Sequence, residues 1–193
     1  MDIILASTSP YRRALLDRLG LPFRTIAPTV DEAPYKARGM DPRLLAEMLA
    51  LDKAGSVAHG HPDAIVIGSD QVAEVNGRIL DKPGTAEVAV AQLRSLSGRQ
   101  HRLITSIAVV CSTRNIVTPH TDVTTLWMRS LDDDAIRRYV EADRPLDCAG
   151  SYKLEARGIA LFERIDSADH TAIVGLPLIA LTTILRSLGV EIP

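Results

Sequence analysis

The chain is poor in the features that give function away by composition. It has two cysteines in 193 residues, Cys111 and Cys148, with no metal-type spacing, which excludes a disulfide framework and a cysteine zinc site and fits a reducing compartment. It has almost no net charge: 22 Lys and Arg against 24 Asp and Glu leave −2, so bulk electrostatics do not suit a nucleic acid polymer. An anionic partner has to be held by a local cluster, and a small ligand fits better than a polymer. No apolar run approaches the roughly twenty residues of a membrane span, and the N-terminal segment lacks the charged-then-apolar plan of a signal peptide. The expected location is the cytoplasm, with no membrane partner. Histidines 59, 61, 101, 120 and 170 form no metal motif, and most of them read as surface or capping residues. There is no internal repeat and no low-complexity tract.

What is present begins at Leu5-Ala6-Ser7-Thr8-Ser9-Pro10-Tyr11-Arg12-Arg13. Ile3, Ile4 and Leu5 supply a short buried strand, Ser9 is a good N-cap, and Pro10 sits where a first helical residue has no NH to lose. The predicted helix turns Ala14, Leu15, Leu16 and Leu19 inward. Its open amides and dipole, beside Arg12 and Arg13, read as an anion cradle. The simpler alternative is a capped helix with two solvated arginines.

Further along, Phe23 to Ile26 reads as a strand, followed by a proline-bounded loop carrying Asp31 and Glu32. Asp41-Pro42 opens a helix to about His59, with Lys53 in its C-terminal half. Ala64 to Gly68 is a buried strand predicted to end at Ser69-Asp70-Gln71, placing an acid at its carboxyl end. Asn76-Gly77 between apolar flanks marks a hairpin that returns the chain to Asp81-Lys82-Pro83, near the strand it left. Thr85 caps a helix through Leu96. Arg102–Cys111 and Ile116–Met128 form an antiparallel pair, and a helix follows from about Asp132 to Glu141. Gly158 to Glu163 reads as a strand and Pro177 to Leu188 as the last helix. The fold class expected is α/β, a mixed, partly antiparallel central sheet flanked by helices. One domain, or two closely packed lobes, accommodates this length.

The chemistry-bearing residues are Ser7, Ser9, Arg12, Arg13, Glu32, Lys53, Asp70, Lys82 and Lys153, mostly at loop or element ends. Cations neutralise a polyphosphate, hydroxyls and helix-end NH groups bind its oxygens, and acids hold a divalent metal or activate water. Each alone is also an ordinary surface residue; their conjunction carries the inference.

In seven ordered blocks the chain resembles the Maf family of nucleoside triphosphate pyrophosphatases over nearly its full length. The blocks are Leu5-Ala6-Ser7 through Arg13, Val30-Asp31-Glu32, Asp52-Lys53-Ala54, Gly68-Ser69-Asp70-Gln71, Asp81-Lys82-Pro83, Ala149 through Lys153, and Val174-Gly175-Leu176-Pro177. The resemblance implies one domain over 1–193 with two lobes around a cleft, as in inosine triphosphatase-like folds. It also implies hydrolysis between the α and β phosphates, assisted by a divalent cation (Mg, Mn or Co), and leaves monomer or homodimer open. Asp70, Lys53, Lys82 and Arg13 would be catalytic, Ser7, Ser9, Arg12 and Lys153 would bind substrate, and Glu32 would share the metal with Asp70.

Three positions depart from the family's dTTP/UTP-hydrolysing pattern: Tyr11 replaces an arginine, Gln71 a threonine and Glu155 a glutamine. They resemble the branch that hydrolyses 7-methyl-GTP. N7 methylation makes guanine cationic, and an aromatic face such as Tyr11 adds about 0.5–2 kcal/mol of cation-π attraction. The Glu155 carboxylate accepts from guanine N1–H and the exocyclic amine, a pattern that thymine and uracil lack. Gln71 is expected to shape or bond the base pocket. The alternatives are a dTTP/UTP pyrophosphatase, a non-catalytic nucleotide-binding regulator of cell division, and a structural module.

Overall fold

The structure, a computed structural model, describes residues 2–192, apart from the side chains of residues 36 and 37. Its elements run β1 (Ile3–Ala6), α1 (Pro10–Asp17), β2 (Arg24–Ile26), α2 (Ala33–Ala37), α3 (Pro42–Ala58), β3 (Ile65–Val75), β4 (Arg78–Leu80), α4 (Ala86–Leu96), β5 (Gln100–Cys111) and β6 (Ile116–Met128). Then come α5 (Asp133–Asp143), a 3₁₀ turn (Arg157–Leu161), β7 (Phe162–Asp166), α6 (His170–Val174) and α7 (Leu178–Ser187). The strand order is β2-β1-β3-β5-β6-β7, with β4 on β3. β1 pairs in parallel with β2 and β3, while β4 and β7 pair antiparallel with β3 and β6. The sheet is therefore mixed, as expected.

The chain divides into two compact units. The first is Met1–Gln71, Thr105–Asp122 and Asp169–Pro193; the second is Val72–Ile104 and Val123–Ala168. β3, β5 and β6 contribute residues to both.

The core of the first unit follows from the pleat. Successive strand side chains point to opposite faces, so odd and even positions separate. Ile3, Leu5, Ile65, Ile67, Ile107 and Val109 pack with Leu15 and Leu16 of α1 and Leu178, Leu181 and Leu185 of α7. Ile4, Ala6, Val66, Ala108 and Val110 pack with Ala50, Ala54, Val57 and Ala58 of α3. The small residues of α3 let it lie close to the sheet, and Gly68 completes the fit. A Cβ there would stand 2.2 Å from the Ala50 carbonyl oxygen and 2.6 Å from the Ala54 nitrogen. This tolerance for contact brings α3 onto β3.

The second unit holds α4 against α5, tied by a two-pronged ion pair in which Arg94 Nε and Nη2 each lie 2.6 Å from the Asp133 carboxylate. Thr85 caps α4 and Asp132 caps α5. Asn76 and Gly77 turn β3 into β4 with φ of 51° and 80°, the left-handed pair a tight hairpin requires. His101, Tyr152 and Phe162 form a buried aromatic cluster.

Four sequence expectations need correction. β3 does not stop at Gly68: β1 ends opposite Gly68, but β3 continues to pair with β4 through Val75, so Asp70 lies inside a strand. The strand expected at 158–163 begins with a 3₁₀ turn, and β7 occupies Phe162–Asp166. His170, read as part of a loop, opens α6. His101 is 2% exposed, not at the surface, because the rings of Tyr152 and Phe162 cover it.

Candidate functional site

Asp70 is an even-numbered residue of β3, so it faces α3. Gly68 admits the helix closely enough for Lys53 to reach it: Nζ donates to Asp70 Oδ1 at 2.6 Å. The same ammonium lies 2.7 Å from Glu32 Oε1. Glu32 comes from the segment before α2, which two contacts hold: Asp31 Oδ1 accepts from Ala33 N at 3.1 Å, and the Tyr35 hydroxyl donates to Asp52 of α3. Two carboxylates thus converge on one cation, with Asp70 and Lys53 side chains only 11% and 12% exposed and Glu32 at 38%.

Arg12 completes the charged group. Its Nε donates to the Gly175 carbonyl at 3.0 Å, and its charge acts on both Asp70 and Glu32. Burial lowers its proton affinity, opposed by those two carboxylates. Burial also raises the Asp70 pKa above the usual carboxylate range, and the Lys53 and Arg12 charges pull it back. The result is a desolvated carboxylate of raised basicity, held at one oxygen by an ammonium.

The N-terminal segment differs from the expected open amide cradle. Ser9 Oγ accepts from Arg12 N at 3.4 Å, Arg13 N donates to the Ser9 carbonyl at 3.2 Å, and Ser9 N donates to buried Ser7 Oγ at 3.1 Å. Those amides are spent on the cap, because a serine before Pro10 closes the first turn on itself. What the segment offers an anion is guanidinium. Arg12 belongs to the acidic pair's surroundings, Arg13 is exposed on α1, and Tyr11 is half-buried beside it.

Gln71 does not behave as a free base-reading side chain. Being odd-numbered, it leaves β3 on the face opposite Asp70, and its Nε2 lies 2.9 Å from Thr105 Oγ1 and 3.0 Å from the carbonyls of both Ala172 and Ile173. Ser69, on the same face, donates to the Gly175 carbonyl at 2.8 Å.

In the second unit the remaining candidates lie on loops. Lys82 is exposed after β4, with Pro83 buried behind it. Lys153 lies 3.3 Å from Asp147, and its backbone NH donates to the Tyr139 hydroxyl at 2.8 Å. Glu155 is exposed. Gln92 of α4 links the two loops: its Nε2 donates to the Asp81 carbonyl at 2.9 Å, and its Oε1 accepts from Ser151 Oγ at 2.5 Å. A groove of about 550 Å³ lies between α4 and α5, but none of the candidate residues lines it.

Sequence reasoning missed Gln92, Asp169 and the roles of Gly68, Gly158 and Gly175. Asp169 caps α6 and also accepts from Ile179 N at 2.7 Å. A Cβ on Gly158 would stand 2.4 Å from the Lys153 carbonyl oxygen, so only glycine lets that loop close. The usable signal for Gly175 was the Val174–Pro177 block, which carried no assigned role.

The model of Maf-like proteins matches residues 2–188. The chain belongs to the Maf family. Among its relatives, a protein of Xanthomonas axonopodis pv. citri is 51% identical, covering 99% of this chain and 98% of its own. One of Polaromonas sp. is 50% identical over 98% of this chain and 86% of its own, and one of Pseudomonas aeruginosa 47% over 100% and 99%. All three Maf relatives are named 7-methyl-GTP pyrophosphatase. The structure of the Staphylococcus aureus Ham1 protein is similar in fold, with a TM-score of 0.55 at 15% identity over 97% of this chain and 99% of that one. Among the described residues no helix is long and apolar enough to cross a membrane.

Proposed function

We propose that this Maf protein is a nucleoside triphosphate pyrophosphatase that hydrolyses 7-methyl-GTP to 7-methyl-GMP and pyrophosphate. The observation that carries the reading is the buried Asp70 carboxylate, raised in basicity and held through Oδ1 by Lys53 beside Glu32 and Arg12. The names of the relatives, at about half identity over nearly the whole chain, supply the substrate.

Asp70 takes the proton of a water that attacks the α phosphorus. Its Oδ1 is fixed by Lys53, which leaves Oδ2 to accept that proton. Arg12, pinned at Nε by Gly175, directs its remaining donors at phosphate oxygens. Lys82, Lys153 and Arg13 supply further cationic contacts to the triphosphate, and Ser7 and Ser9 hold the start of α1 in register. Tyr11 stacks on the cationic base, and Glu155 accepts from its Watson–Crick edge.

A divalent cation fits the donor set present. Among the described residues no group of three or more His, Cys, Asp or Glu forms a cage. A pair of carboxylates completed by phosphate oxygens is nonetheless how a hard, strongly hydrated ion such as magnesium is held, and Glu32 and Asp70 would provide that pair through the acceptor sites that their ion pairs with Lys53 leave. When bound, the ion would offset charge developing on the phosphates.

The test is a kinetic panel of 7-methyl-GTP, GTP, dTTP and UTP with magnesium, manganese or cobalt, with products identified. The expected result is 7-methyl-GMP and pyrophosphate, with the highest kcat/KM for the methylated nucleotide. Preference for dTTP and UTP would move the chain to the family's other branch. Nucleotide binding without turnover would make it a regulator.

A further inference from the structure

We propose that Gln71 is a positioning residue: through its amide donors it fixes the α6–Gly175 turn, whose carbonyl orients the Arg12 guanidinium. The inference rests on the reading of Arg12 as a phosphate-binding cation, and it assigns Gln71 a route to substrate that does not pass through the base.

The amide orientation is unambiguous. Its nitrogen has three acceptors within 3.0 Å, two of them backbone carbonyls that cannot donate, so a flipped amide would set oxygen against oxygen. Thr105 Oγ1 passes its own proton to the Ala172 carbonyl at 2.9 Å. Gln71 and Thr105 together cap the last carbonyls of α6.

That cap matters because α6 has five residues and cannot hold its place by helix formation alone. Its N-terminal end is fixed by buried Asp169, whose Oδ1 accepts from Thr171 N and Thr171 Oγ1. Its C-terminal end is fixed by Gln71 and Thr105. Two residues beyond the Gln71 contact at Ile173, Gly175 turns the chain with φ 110°, a backbone conformation that favours glycine. Its carbonyl accepts from both Arg12 Nε and Ser69 Oγ. A Cβ on Gly175 would lie 3.3 Å from Arg12 Nε, so the arginine rests against this turn. The connection runs Gln71, α6 carbonyls, Gly175 carbonyl, Arg12, with Gly175 N itself donating to the Ala172 carbonyl at 2.9 Å, so each link is a hydrogen bond or a residue or two of backbone.

The experiment compares Gln71→Glu, Gln71→Met and Thr105→Val with the parent. Solvent exchange of the Arg12 Nε–H is read by 15N–1H NMR, its signal assigned by loss in Arg12→Lys, and affinity for inorganic pyrophosphate with magnesium is measured on the same samples. Gln71→Glu is the strongest arm, because it keeps shape while placing a carboxylate against two carbonyls. It is expected to abolish protection of the Arg12 Nε–H and weaken pyrophosphate binding by about tenfold, the loss of one charge-assisted contact. Gln71→Met should have a smaller effect and Thr105→Val the smallest, while the Nε–H signals of Arg94 and Arg102, bonded to Asp133 and Glu74, stay unchanged.

Retained Arg12 protection in both Gln71 variants overturns the proposal. So does an altered base preference with Arg12 protection and pyrophosphate affinity intact, which would return Gln71 to reading the base. Loss of the Arg94 and Arg102 signals along with Arg12 would show general unfolding and also refute a positioning role. Because the NMR readout needs no nucleotide, a parent enzyme that fails on 7-methyl-GTP would defeat the functional reading while leaving this result to stand or fall separately.

Discussion

The two units carry their candidate residues in opposite ways. In the first, Lys53, Asp70 and Glu32 are already joined across 2.6–2.7 Å, on elements pressed together by a glycine and a small-residue helix face. In the second, Lys82 and Glu155 are exposed, and Lys153 has a loop aspartate 3.3 Å away. Their order comes from the backbone, through Gln92, Tyr139 and Gly158. The difference teaches a division of labour. Under the proposed function, the groups assigned the proton transfer are buried and mutually neutralised, while those of the second unit assigned to ligand recognition lie on loops, Lys82 and Glu155 exposed.

The comparison breaks first at Asp70. Asp70→Asn should reduce kcat by about 100-fold or more, the range for a lost general base, with the fold retained. The sign of its pKa shift supports retention. A carboxylate whose folded pKa is raised costs stability progressively as pH climbs from its unfolded pKa to its folded one, and fully above that, so removing the charge should leave the variant at least as stable as the parent near pH 7. Thermal melts on the kinetic samples check this, and near-normal turnover would remove Asp70 from its role.

Lys53→Met sharpens the same point. Lys53 lowers the Asp70 pKa, so its loss should carry the acid limb of the kcat/KM profile to higher pH. An unmoved limb would mean that the observed titration is not that of Asp70.

In the second unit the expected pH effect is on stability instead. Burial pushes His101 down to about 4, and its Nδ1 has no hydrogen-bond partner. A depressed folded pKa contributes stability above the unfolded value near 6.5, and that contribution is lost as pH falls toward 4. The loss amounts to about 3 kcal/mol. Denaturant titrations from pH 7 to 4 should show the parent weakening more than His101→Phe, and parallel curves would deny His101 this part.

The smallest effects belong to base selection. Tyr11→Ala should weaken 7-methyl-GTP relative to GTP by about 2- to 30-fold, and Glu155→Gln should narrow the preference over dTTP and UTP. Competitive turnover of nucleotide pairs reads both. Equal losses on methylated and unmethylated guanine would argue against cation-π selection.

Much of this architecture is legible locally. Ser9, Asp41, Thr85 and Asp132 each cap the helix their neighbours begin, and Asn76-Gly77 turns its hairpin, because such signals act over three or four residues. The residues Asp70, Lys53, Glu32 and Arg12 are nameable from type and family block. Their joining is not, since it needs the parity of β3 and a helix approach set by Gly68. The extension of β3 past Gly68 depends on β4, and α6 is too short to show a period and exists through Asp169, Gln71 and Thr105. His101 looked like a surface residue because its aromatic cover arrives from 51 and 61 residues downstream.

The most direct test of the central claim is hydrolysis of 7-methyl-GTP in 18O-labelled water. If a water at Asp70 attacks the α phosphorus, one label appears in 7-methyl-GMP and none in pyrophosphate. Label in pyrophosphate or orthophosphate, with none in the monophosphate, would contradict it.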